Sequence, residues 1–248
     1  MRSIFVTALA IALAACGGNG AVSNDNDTRA ASIKNVPPPT GKQWSEVVVK
    51  TAQGFRMGNP QAPLKLVEYG SRTCPACGAF GREAMQPLER TYVATGRLSY
   101  EFREFMVHGP PDLAASLLGI CVGTDPFFVV LEQMYQNQAS YLEKQQAAMN
   151  DPAFLEATRD KEPGVVATLW AEKMGLVDFV KQRGVPEAKA RTCLSDPVAI
   201  AGLTKITGDA SDSGLATGTP TFILNDAPMP GVTSWSQLEP LIRNAGAR

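Results

Sequence analysis

The stretch LKLVEYGSRTCPACGAF, residues 64–80, decides how the rest of the chain is read. It opens with the branched, apolar character of a buried strand and ends in two cysteines, Cys74 and Cys77, at the entrance to a helix. Cys74 falls near the N-cap and Pro75 takes the first helical position, where a missing N–H costs nothing. The unpaired amides that follow, together with the helix dipole, stabilise a thiolate on Cys74. Cys74 is therefore the expected nucleophile and better leaving group. Cys77, one turn further in and on the buried side, is suited to resolve a mixed disulfide by attacking it from within.

Whether paired cysteines mean disulfides or metal ligands depends on compartment. The chain opens MRSIFVTALAIALAACGGNG, with Arg2 followed by an apolar run from Ile4 to Ala15 that is too short to span a bilayer as a mature helix. This reads as an export signal over residues 1–15. Leu13-Ala14-Ala15-Cys16 resembles the bacterial lipoprotein box, in which the peptide is cut before the cysteine and Cys16 receives lipid. Residues 16–42 are rich in Gly, Asn, Asp, Ser and Pro and offer little to bury, so they read as a flexible tether. With Cys16 lipidated, Cys74, Cys77, Cys121 and Cys193 remain, and two pairs are the natural count in an oxidising compartment. A net charge of −1 without a basic run gives no support to nucleic acid binding.

Outward from the cysteines, WSEVVVKT reads as a strand before LKLVEYG, with Gly58, Asn59, Pro60, Ala62 and Pro63 marking a turn between them. After the cysteines, Phe80, Ala84, Leu88 and Tyr92 form a helical stripe with a kink expected at Pro87. RLSYEFREFMV is the next strand, so a parallel pair bridged by a helix is expected. Between HGPPDLAAS and about Gly214 the apolar spacing turns helical, through DLAASLLGICVG, DPFFVVLEQMYQ, PGVVATLWAEKMG and VPEAKARTCLSD. An insertion of four to six helices follows from that pattern. Strand character returns at TPTFILN, with APMPGV as a short partner, and SWSQLEPLIRNAG supplies a last helix capped by Ser234. The expected architecture is one α/β core, residues 43–107 and 214–248, interrupted by an all-helical domain over 108–213.

KLVEYGSRTCPAC, RLSYEFREF, the helical insertion and GTPTF, taken in this order, resemble the DsbA-like thiol:disulfide oxidoreductases of the bacterial envelope, over roughly residues 45–245. The resemblance implies a thioredoxin fold, a Cys74–Cys77 redox pair flanking Pro75 and Ala76, and a client-binding loop at Thr219 and Pro220 whose peptide bond is cis. It also matches Glu68 to a buried acid beneath the site. By alternation Glu68 shares a strand face with Leu64 and Leu66, so desolvation favours its protonated form and fits it to exchange a proton with Cys77. An ion pair with Arg103 is the alternative. No cofactor beyond the redox disulfide is implied.

The chain departs from the best-known pattern in having no histidine between its cysteines. Ala76 offers Cys74 neither charge nor side-chain donor, so a weaker oxidant than a histidine-bearing relative is expected, still above thioredoxin. The sole histidine, His108, cannot build a zinc site alone and reads as a hinge or surface residue. Cys121 and Cys193, near the ends of two insertion helices, are expected to form a structural disulfide, and no metal site is expected.

The leading expectation is a monomeric periplasmic oxidase, lipid-anchored to the inner or outer membrane. It would accept electrons from reduced, unfolded exported proteins and be reoxidised by a membrane partner of the DsbB kind. A reductase or isomerase of the same fold and a non-catalytic chaperone module are the alternatives.

Overall fold

The computed structural model describes residues 32–247. The export signal and Cys16 lie outside those residues.

Six strands form one mixed sheet in the order β1-β2-β4-β3-β5-β6. They span Val48–Lys50 (β1), Phe55–Met57 (β2), Leu64–Gly70 (β3), Leu98–Glu104 (β4), Thr221–Leu224 (β5) and Ala227–Pro228 (β6). The central pair, β3 and β4, is parallel, with Leu64 opposite Leu98 and Gly70 opposite Glu104. β5 runs antiparallel to β3 and sets Phe222 beside Glu68. The expected first strand is shorter than its sequence suggests. Trp44–Glu46 forms a 3-10 turn, and β1 instead makes a hairpin with β2, whose three residues are too few to show alternation.

The helix that follows the cysteines, α1, spans Pro75–Pro87. Its stripe is buried as the spacing requires, with Phe80, Ala84, Leu88 and Tyr92 all at or below 3 % exposure. Pro87 ends the α-helix rather than bending it, and a π turn over Leu88–Tyr92 carries the chain on. The wider turn accommodates a residue that has no N–H to give.

Eight helices, rather than four to six, fill the insertion: α2 (Pro110–Cys121), α3 (Phe127–Gln136), α4 (Gln138–Met149), α5 (Pro152–Thr158), α6 (Pro163–Met174), α7 (Leu176–Lys181), α8 (Glu187–Leu194) and α9 (Pro197–Asp212). The extra ones have polar or short faces. α4 turns Gln138, Tyr141, Gln145 and Ala148 inward, so two glutamines interrupt the apolar pattern, and α5 buries nothing. Proline begins α1, α2, α5, α6 and α9, and Asp151 and Asp196 cap α5 and α9 by accepting their first free amides. The last helix, α10, spans Trp235–Asn244, and the Ser234 amide donates to Gln237 Oε1 at 3.2 Å.

Two large apolar cores result, beside a smaller cluster of Tyr69, Phe105, Ala210, Ala216 and Ile223. One packs α1, α3 and α10 on the sheet, and the other fills the helical insertion around Leu117, Met134, Trp170 and Leu194. Arg72 sits where they meet, fully buried, its Nε donating to Glu104 Oε1 at 2.8 Å and its guanidinium 5.1 Å from the Phe127 ring centre. Only glycine fits at 119, because a Cβ there would lie 2.1 Å from Arg72 Cζ.

The later part of the expected tether is docked. Ile33 packs on the sheet core and donates to Gly246 O at 3.1 Å, Val36 N donates to Thr95 O at 2.9 Å, and Trp44 Nε1 donates to Val36 O at 2.7 Å. Low apolar content was a poor guide here because backbone pairing, which composition does not register, holds the segment.

Candidate active site

β3 delivers the chain to the site. After Gly70 the backbone turns through Ser71, Arg72 and Thr73, and Cys74 becomes the N-cap of α1 with φ −76° and ψ 120°. Both Cys74 and Cys77 are thiols and both are buried. Cys74 Sγ accepts from the Cys77 amide at 3.5 Å and lies 3.4 Å from Thr219 O. The Thr219–Pro220 peptide is cis. Ser71 N donates to Cys77 Sγ at 3.5 Å. The structure thus brings Cys74, Cys77 and Thr219 together, while Ala76 stands exposed between the cysteines.

The two thiols are driven apart electrostatically. A hydrogen bond from the Cys77 thiol is the largest influence on Cys74 and, with Thr219 and the amides of Cys77 and Ala76, outweighs burial to bring its pKa down to about 5. Cys77 moves the other way. Burial pushes its thiol up, reinforced by its hydrogen bond to Cys74 and by the charges of Glu68 and Cys74. The pair therefore carries its negative charge on the outer sulfur.

Glu68 lies beneath them at 1 % exposure. Burial raises its pKa to about 8 against the hydrogen bond that Tyr100 Oη donates to Oε2 at 2.6 Å, and the Cys74 charge adds to the rise. The alternative pairing with Arg103 is overturned. Arg103 stands opposite Tyr69 in the register, on the other face of the sheet from Glu68, and donates to Glu101 Oε1 at 2.8 Å and Tyr69 Oη at 2.9 Å.

The helical insertion grips the turn before Cys74. Gln138, at 2 % exposure, donates through Nε2 to Arg72 O at 3.1 Å and Cys74 O at 2.8 Å, and Tyr141 Oη donates to Arg72 O at 2.5 Å. A Cβ at 78 would collide with the Gln138 amide 1.9 Å away, so Gly78 lets the two units meet. Asp112, at the start of α2, accepts from the hydroxyls of Ser71 and Thr73 and from the amides of Val107 and His108. Sequence reasoning missed Gln138, Tyr141, Ser71 and Asp112. Nothing in their local sequence signals them, since each acts on a partner across the domain boundary.

Cys121 and Cys193 are joined by a disulfide that ties α2 to α8 across a sequence separation of 72. Among the described residues no cluster of His, Cys, Asp and Glu could hold a metal ion.

A strand, a buried dithiol at a helix N-terminus and a facing Thr-Pro loop define a thioredoxin-fold dithiol protein. The thioredoxin family model matches residues 50–244, and the chain belongs to that family. A protein-disulfide isomerase from Novosphingobium aromaticivorans superposes with a TM-score of 0.74 at 26 % identity, covering 81 % of this chain and 100 % of that one. BdbD from Bacillus subtilis shares the fold, with a TM-score of 0.57 at 18 % identity over 82 % of this chain and 97 % of its own. A Rickettsia bellii protein named as a candidate protein-disulfide oxidoreductase is 27 % identical over 169 residues, 68 % of this chain and 56 % of its own length. The chain spans about half the length of the curated relatives it matches.

Proposed function

We propose that this chain is a protein-disulfide oxidoreductase that forms disulfides in exported proteins through Cys74 and Cys77. The observation that carries the reading is the placement of Cys74 as the N-cap of α1, its Sγ accepting from the Cys77 amide at 3.5 Å with Cys77 buried behind it, a geometry that brings the Cys74 pKa down to about 5 and pushes Cys77 up. A thiol that ionises so readily is a good leaving group, which favours handing the disulfide on.

In the working cycle a client thiolate attacks Cys74 Sγ of the oxidised pair, and the S–S bond breaks with its electrons on Cys77. Glu68, the acid beneath the pair, is placed to supply the proton that Cys77 takes up. A second client thiolate then attacks the client sulfur of the mixed disulfide and releases Cys74 as a thiolate. The client has lost two electrons and the protein has gained them. Thr219 O, at 3.4 Å from Cys74 Sγ, lies at the mouth of the site, where an extended client backbone meets the loop. Pro75 and Ala76 form the other rim.

Return to the disulfide form requires an oxidant, for which the Bacillus relatives named as disulfide bond formation proteins support a membrane partner of the DsbB kind. The protein acts as a monomer in the periplasm, held to the membrane through lipid on Cys16. A reductase or isomerase role is the second reading. It is favoured by the protein-disulfide isomerase among the structural relatives and by the uncharged Ala76.

The test is the reduction potential of the full chain equilibrated against glutathione. A value well above that of thioredoxin is expected. A thioredoxin-like value would overturn the oxidase direction in favour of the reductase or isomerase.

A further inference from the structure

We propose that His108, on the loop between β4 and α2, is a positioning residue for Cys74, a histidinium held against the preceding turn that stabilises the thiolate and makes the redox balance pH-sensitive. The inference deepens the reading of Cys74 and Cys77 as the working redox pair and rests on it.

Sequence separates His108 from the cysteines, but the fold returns it to them. Its Nδ1 lies 2.8 Å from Thr73 Oγ1, on the residue before Cys74, and 3.5 Å from Asp112 Oδ1. The Thr73 hydroxyl donates its only hydrogen to Asp112, so it accepts from an Nδ1–H. That fixes the tautomer and leaves Nε2 to take the second proton. The imidazole is 39 % exposed, so the proton has access to water.

One carboxylate locks both sides of this contact. Asp112 is 1 % exposed, and its Oδ2 accepts from the amides of Val107 at 2.6 Å and His108 at 2.7 Å. Its Oδ1 accepts from Ser71 Oγ at 3.0 Å, while Ser71 Oγ in turn accepts from the amides of Thr73 and Cys74 at 3.1 Å each. The imidazole and the Cys74 turn therefore hang from a single buried group and cannot drift apart independently.

The charges acting on His108 are Asp112 on its own side and the Cys74 thiolate across Thr73, while Lys161 lines the apolar pocket beside the next two residues, Gly109 and Pro110. The His108 pKa is raised, first by the hydrogen bond to Asp112, against burial, and then by the charges of Asp112 and Cys74. Such coupling is reciprocal. If the thiolate favours the imidazolium, the imidazolium favours the thiolate by the same free energy. Ala76 brings no charge to Cys74, and His108, when protonated, brings one from outside the motif.

Because His108 is the sole histidine, the untagged full chain tests this directly. Its ring resonance is followed by NMR across pH in the dithiol and disulfide forms. Only the dithiol form carries the thiolate, so its histidine should titrate higher, by roughly half a pH unit for two charges in a partly solvated site. His108→Gln should raise the Cys74 pKa, read from thiolate absorbance, and His108→Lys should restore the low value. Equal histidine midpoints in the two redox forms, or a Cys74 pKa unmoved by His108→Gln in a folded protein, would overturn the inference. Chemical oxidants and reductants produce both forms, so the comparison stands apart from the direction of electron flow with proteins. A thioredoxin-like potential would count only against the oxidase.

Discussion

Glu68→Gln should make the protein more stable near neutral pH. The wild-type carboxyl has an ordinary value of 4.5 and is held at about 8 in the fold, chiefly by burial. Near pH 7 the folded protein must keep a proton on Glu68 that the unfolded chain has released. At about 1.36 kcal/mol for each unit between the ordinary value and the working pH, that costs about 3 kcal/mol. The sign is that of a raised folded-state value. The contribution of Glu68 to stability is fully present below about 4.5, declines as pH rises, and is lost through about 8. Glutamine has nothing to ionise, and its carbonyl can still accept from Tyr100 Oη. Urea unfolding of the dithiol form, with Cys121–Cys193 intact, measures the gap directly. The variant should match wild type near pH 4.5 and exceed it by about 3 kcal/mol near pH 7. A difference that does not change with pH would refute the argument that the buried carboxyl is held protonated. The same variant removes the acid beneath Cys77, so it should also slow thiol exchange at fixed stability.

Two further outcomes follow from the geometry. Replacing Cys121 and Cys193 together by Ala frees the loop of separation 72 in the unfolded chain and should cost about 2–4 kcal/mol by urea unfolding. The potential of Cys74–Cys77 should stay put, and an unchanged unfolding midpoint would refute the stabilising role. Ala76→His places a protonatable donor on the exposed rim beside Cys74, and should lower the Cys74 pKa and raise the potential against glutathione. A potential equal to or below that of wild type would show that the outer sulfur does not feel this position.

The fold was legible where chemistry is local. Cys74 at an N-cap, Pro75 at the first helical position and the alternation that buries Glu68 are all written within ten residues. The strands of the core are similarly plain, because Leu64, Leu66, Leu98 and Phe102 show their faces by period. What was hidden depends on distance. Gln138 and Tyr141 sit on a helix whose polar inward face broke the periodicity, and their value comes only from carbonyls at Arg72 and Cys74. His108 is a surface histidine by sequence and a neighbour of Thr73 in the fold. The alternative pairing of Glu68 with Arg103 fails on register, because Arg103 stands opposite Tyr69 and so faces away from Glu68, a relation that the alternation of β3 alone does not show.

The docked segment has a practical reach. Ile33 is held at Gly246, and Val36 at Thr95, at the end of the parallel pair where Leu64 and Leu98 begin. Cys74 follows the opposite end, beyond Gly70, a strand of seven residues or about 23 Å away. Ile33 and Gly246 therefore both lie at the pole remote from the thiols. A resin, fluorophore or sensor surface coupled beside Gly246 would stand at the pole away from Cys74, so an immobilised form should exchange with large partners as freely as the protein in solution.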